Sequence, residues 1–135
     1  MTTTRLDLAT DERQVPLTEA LGLRSLGARL LKLEPRQRNR VHRHREQEEV
    51  YVVLEGELTV IFENGDELTA GRLEVVRIPP PVRRQLANRG GERVVVLALG
   101  AAGEHVTGGG EAFEDWSSNE AKRPPDVPLP DDLSA

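Results

Sequence analysis

Residues 41–56 read VHRHREQEEVYVVLEG, and this stretch decides the fold. His42 and His44 are two positions apart, and in a strand such side chains leave the same face, so both imidazoles point one way. Residues 45–48 are polar without apolar periodicity and read as a connection. Residues 50–54 are β-branched, aromatic and leucine, the composition of a strand. Glu49 opens that strand and shares a face with Tyr51 and Val53. A hairpin-like return would set its carboxylate opposite the histidine pair. Two imidazoles and a carboxylate are the donor types of an open metal site, so His42, His44 and Glu49 are the candidate metal ligands. Gly56, in the turn Glu55-Gly56-Glu57, supplies the positive φ that a tight turn often needs.

Working outward, the chain is strands and turns. Residues 1–16 are polar, and 16–21 predict a helical turn that Gly22 stops. Leu26–Leu33 is a first strand closed by Glu34-Pro35. Leu58–Phe62 is another, and Asn64-Gly65 marks a tight hairpin into Glu67, Leu68 and Thr69. Residues 73–78 and 83–88 flank a corner of Pro79, Pro80 and Pro81, which cannot donate to a ladder. Residues 93–99, with four consecutive aliphatic residues at 94–97, predict a strand buried on both faces. Short, closely spaced strands predict an all-β sandwich or small barrel at 28–100. An irregular N-terminal arm (1–27) precedes it, and an acidic, Pro/Gly-rich tail (101–135) follows. Phe113 and Trp116 are large aromatics in that polar tail. They mark where it docks back, either as a lid on the barrel mouth or on an outer face.

Composition narrows the function classes. A length of 135 residues is one domain's worth, and with no cysteine there is no disulfide, thiolate ligand or cysteine nucleophile. The net charge of −5 is uneven: residues 1–103 carry 16 basic and 15 acidic side chains, and 104–135 carry 2 and 8. A near-neutral body with only four aromatic residues is not the profile of a nucleic-acid binder, and there is no room beside a barrel for a helix-turn-helix. No run is long enough to span a bilayer and no signal pattern opens the chain, so a soluble cytoplasmic protein is expected.

The His42, His44, Glu49, Gly56 spacing, within QEEVYVVLEGELTV, resembles the first motif of the cupin superfamily, and residues 35–88 resemble its conserved region. The resemblance implies a double-stranded β-helix (jelly-roll) barrel. Pro79 and Asn88 align with the outer members of the second motif, but the third histidine falls on Arg84 and the turn glycine on Pro81. Arg36 stands where the first motif often starts with glycine, and Leu73-Glu74 replaces the usual Gly-Asp. Cupins of this kind commonly form homodimers through sheet edges and exchanged N-terminal strands.

Arg84 divides the functional expectation. An arginine stays protonated and has no lone pair for a cation. In one reading His42, His44 and Glu49 hold a divalent metal (iron, manganese, zinc or nickel), and Arg84 orients a small anionic metabolite for isomerase- or dioxygenase-type chemistry. In the other, Arg84 pairs with Glu49 where the ion would sit, and the barrel is a metal-free, non-catalytic small-molecule binding or sensing module. Tyr51, Arg40 and Asn88 join Arg84 as substrate-binding candidates. Each has a plainer alternative: core packing for Tyr51 and Leu86, a solvated edge for the alternating Arg36, Arg38 and Arg40, and a turn for Asn88. His105 is the remaining histidine that could replace the missing ligand.

Overall fold

The computed structural model describes residues 1–101 and 110–134. Two five-stranded antiparallel sheets face each other. The first is built, in order, from β1 (Gln14–Pro16), β2 (Leu26–Leu33), β9 (Val94–Ala101), β4 (Glu49–Glu55) and β7 (Val75–Ile78). The second runs β10 (Glu111–Phe113), β3 (Val41–Arg43), β8 (Arg84–Ala87), β5 (Leu58–Phe62) and β6 (Glu67–Ala70). A single helical turn, α1 (Thr18–Leu21), ends at Gly22 with φ 67°, as its sequence predicts. Among the described residues no helix is long and apolar enough to cross a membrane.

The aliphatic run at 94–97 becomes the centre of the first sheet because β2 and β4 pair with its two edges. Val94, Val95 and Val96 are all buried. Tyr51, Val53, Val76, Ile78 and Val96 of this sheet pack with Leu58, Val60 and Leu86 of the other, which forms the core between the layers. Burying such aliphatic side chains contributes roughly 1.5–3 kcal/mol each. The Asn64-Gly65 hairpin forms as expected: Gly65 has φ 88°, and Asn64 Oδ1 accepts from the Asp66 amide at 2.9 Å.

Two expectations are corrected. β3 and β4 do not form a hairpin; they lie in opposite sheets, and residues 44–48 carry the chain from one layer to the other. Glu49 therefore meets the histidines across the barrel interior and not along a ladder. The tail is also not wholly irregular, since β10 extends the second sheet in the register Glu111↔Arg43 and Ala112↔His42. Its docking groups lie far apart in sequence, which hides them from local patterning. Arg43 meets Glu111 at 2.9 Å, and Arg83 lies over the Phe113 ring at 4.0 Å and the Trp116 ring at 5.7 Å. Phe113 is Val41's register partner, on the face opposite His42, so these aromatics dock on the outer face and are no lid. At the other end of the chain, the arm contributes β1 as an edge strand.

Two of the three motif departures from glycine fall on left-handed backbone: Arg36 has φ 70° and Leu73 φ 68°. A side chain there costs on the order of 1–2 kcal/mol through the Cβ–carbonyl contact. Leu73 is also 64% exposed, so its side chain returns little burial. Leu73→Gly is expected to stabilise the fold by about 0.5–1 kcal/mol, the relief of strain being partly offset by a more flexible unfolded chain. A urea midpoint that stays put or falls would contradict this.

Candidate functional site

The register places Arg84 directly opposite His42 on β3, with Ala112 on the other side of that histidine. In the facing sheet Tyr51 lies opposite Ala98 and Glu49 opposite Gly100. Alternation then sends His42 and Arg84 from one layer, and Glu49 and Tyr51 from the other, into the same interior.

Arg84 is wholly buried, and its guanidinium ties the layers together. Nη2 donates to Glu49 Oε1 at 2.7 Å, Nε to the Tyr51 hydroxyl at 3.3 Å, and Nη1 to the Val82 carbonyl at 3.0 Å. The Tyr51 hydroxyl donates in turn to the same Glu49 oxygen. Burial works against the Arg84 charge, but Tyr51 and Glu49 outweigh it and hold the guanidinium above its ordinary value. Burial, and then the Glu49 charge, push the Tyr51 phenol well above its usual range, so it stays a donor.

The histidines approach Glu49 from the cavity side. His42 Nε2 lies 3.9 Å from Oε1, and His44 Nε2 lies 3.5 Å from Oε2. The two rings meet edge to face with centroids 6.3 Å apart. His42 Nδ1 is 2.8 Å from the Arg40 carbonyl, an acceptor only, so the proton sits on Nδ1 and Nε2 keeps its lone pair. Burial, with Arg84 adding to it, depresses the His42 pKa against the opposing pull of Glu49. Gly110 packs against His44: a Cβ there would lie 3.0 Å from the ring's Cε1.

These side chains open on a cavity of about 490 Å³. His42, His44, Glu49, Leu86 and Arg40 line it, as do Arg13, Arg29 and Lys32, which the sequence reading did not select. Arg29 is legible in retrospect, since it alternates with Leu31 and Leu33 on β2. Arg13 sits in an arm without periodicity and carries no such signal. Pro124, Pro125 and Leu129 of the tail close part of the wall.

Not every predicted substrate contact reaches this space. Arg84 and Tyr51 are fully buried and absent from the cavity wall, forming a layer behind Glu49. Asn88 is also off the wall. Its Nδ2 donates to the carbonyls of Leu33 (3.0 Å) and Glu92 (2.7 Å), and its Oδ1 accepts from Gly90 (3.0 Å), so it holds a turn. Of the alternating arginines only Arg40 reaches the main cavity; Arg38 Nε donates to the Asp131 carbonyl at 2.8 Å. His105 lies outside the described residues.

The structure brings the three predicted metal ligands together, but the donor set does not fit a divalent ion. Glu49 Oε1 already accepts from Arg84 and Tyr51. The guanidinium charge 2.7 Å from that oxygen would also oppose a second cation. Among the described residues no group of three or more His, Asp or Glu is arranged to hold a metal ion.

Two facing antiparallel sheets with polar groups converging between them are the architecture of a cupin barrel. The cupin domain family model matches residues 29–100, more than half of the chain, and the chain belongs to this family. Among solved structures it is similar to a sugar phosphate isomerase of the cupin superfamily from Silicibacter pomeroyi. That protein is 25% identical with a TM-score of 0.63, over 87% of this chain and 79% of that one. A protein from Acidithiobacillus ferrooxidans, provisionally named a sugar phosphate isomerase, is 23% identical with a TM-score of 0.61, over 88% and 80%. A Salinispora arenicola cupin conserved-barrel protein is 18% identical with a TM-score of 0.65, over 79% and 93%. No curated protein matches the chain.

Proposed function

We propose that the barrel binds a small anionic hydroxy-carbonyl metabolite and catalyses isomerase-type proton transfer on it without a metal. The observation that carries this is His42. Its Nδ1 is held by the Arg40 carbonyl, so a ring whose Nε2 keeps its lone pair stands in a cavity whose wall includes four basic side chains, Arg13, Arg29, Lys32 and Arg40. Such a base takes the proton from the hydroxyl-bearing carbon next to a carbonyl and returns it to the former carbonyl carbon, while the hydroxyl proton passes to the former carbonyl oxygen through the enediol, so no oxidant or reductant is consumed. His44 stands beside it as a hydrogen-bonding group for the carbonyl oxygen. The basic lining favours the anionic substrate and the negative charge that develops as the proton leaves. The isomerase named among the similar structures supports the same class.

The test is solvent exchange. Aldose and ketose monophosphates incubated with the protein in deuterium oxide are expected to incorporate deuterium next to the carbonyl, read by proton NMR. His42→Gln is expected to lower the rate about 100-fold or more, the usual contribution of a general base. Since only neutral His42 is active and its pKa is depressed, the rate should persist into acid and fall only below the ordinary histidine value of about 6.5. No incorporation into any of these compounds, or an unchanged rate in His42→Gln, would remove the catalytic reading.

A further inference from the structure

Among the basic side chains of the cavity, two are anchored but left with unused donors. Arg13, just before β1, gives Nη2 to the Arg38 carbonyl at 2.8 Å. Arg40, just before β3, gives Nε to the Val127 carbonyl of the tail at 2.5 Å. A guanidinium has five N–H donors, so each keeps several for the cavity that both line. Neither makes an ion pair with a described carboxylate; Asp132 acts on Arg13 only from a distance. Burial, and then the charge of Arg13, lower the Arg40 pKa, as expected when two guanidinium groups face one cavity. Lys32 is different, since its Nζ already donates to the Asp11 carbonyl at 2.7 Å and lies 3.6 Å from Glu34.

We infer that Arg13 and Arg40 form a clamp for a phosphoryl dianion. This rests on the cavity being the ligand site proposed above, and it names the substrate class as a phosphate monoester. Two planar forks approaching from separate segments of the chain suit a tetrahedral group whose oxygens point in several directions, and a dianion relieves the Arg13–Arg40 repulsion more fully than a monocarboxylate. Anchor and base belong to one unit: Arg40 and His42 are two residues apart, and the Arg40 carbonyl holds the His42 ring. A clamped phosphate therefore fixes the distance from the ester to the proton-accepting nitrogen. Residues of both chain ends, Arg13 in the arm and Val127 in the tail, take part in the site.

The experiment is calorimetric titration of the full chain with inorganic phosphate and, separately, acetate, at constant ionic strength. Wild type is expected to bind phosphate, with affinity reduced about tenfold or more in Arg13→Gln and in Arg40→Gln, the usual loss for a charge-assisted bond. Arg40→Lys, which keeps the charge but not the fork, should also weaken binding, whereas the exposed Arg77→Gln should leave it unchanged. If Arg40→Gln fails to fold, Arg13→Gln and Arg40→Lys decide the matter. Absence of phosphate binding, equal affinity in Arg13→Gln, or tighter binding of acetate than of phosphate each overturns the clamp. Phosphate binding that depends on both arginines, without proton exchange in any sugar phosphate, keeps the clamp and removes the base role of His42. Exchange that survives Arg13→Gln with unaltered KM does the reverse.

Discussion

Arg84→Met is expected to destabilise the protein by about 3–5 kcal/mol, the usual loss when one partner of a buried ion pair is removed. Arg84 is 0% exposed and Glu49 3%. Both the carboxylate and the Tyr51 hydroxyl are buried in the same layer, so the guanidinium supplies donors that bulk solvent does not readily replace. Truncation leaves Glu49 Oε1 with Tyr51 as its remaining donor of the two and frees the Val82 carbonyl. Removing both charges tells the pair's own worth apart from the penalty of an orphaned charge. The double variant Glu49→Gln, Arg84→Met is expected to recover at least half of the loss, because a neutral amide in that layer is far cheaper to bury than an unpaired carboxylate. Urea unfolding of wild type, both single variants and the double variant closes the cycle. A loss below about 1 kcal/mol for Arg84→Met, the scale of an exposed pair, would show that the guanidinium is not the bridge between the sheets.

Gly56→Ala is expected to cost about 3 kcal/mol or more, for two reasons that act together. Gly56 has φ 73°, where a Cβ is strained whatever the space. A Cβ at this position would also lie 2.3 Å from the Arg93 carbonyl oxygen, a backbone atom immediately before β9 that cannot move without shifting the central strand. Gly65→Ala is the comparison that tells strain from clash. Gly65 has φ 88°, but nothing lies within 4 Å of its hypothetical Cβ, so its cost should be only about 1–2 kcal/mol. Equal costs at the two glycines in thermal or urea unfolding would mean that the Arg93 contact relaxes freely.

The same contrast separates what could be read locally from what could not. The strands over Leu26–Leu33 and Leu58–Phe62 and the hairpin at Asn64-Gly65 are set by side chains next to one another in sequence, and they stand where their patterns put them. The pairing of β10 with β3 depends on Arg43 meeting Glu111 and on Arg83 meeting Phe113. No window of ten residues contains either pair. The substrate contacts divide in the same way: Arg40 faces the cavity, whereas Asn88 satisfies backbone carbonyls that only the folded turn presents to it.

By itself the sequence determined the barrel and the cluster of His42, His44, Glu49, Tyr51 and Arg84 inside it. Strand alternation commits His42 and His44 to one face and Glu49 and Tyr51 to another, and Arg84 arrives without a lone pair to offer. The tertiary structure decided what those groups do to one another. By placing β3 and β8 in one sheet and β4 in the other, it sends the Arg84 guanidinium across the barrel onto Oε1 of Glu49. It also brings Arg13 from the arm and Val127 from the tail to the edge of the same cavity. Ion pairs and cavities depend on distances through space between residues far apart along the chain, and local periodicity carries no information about those distances.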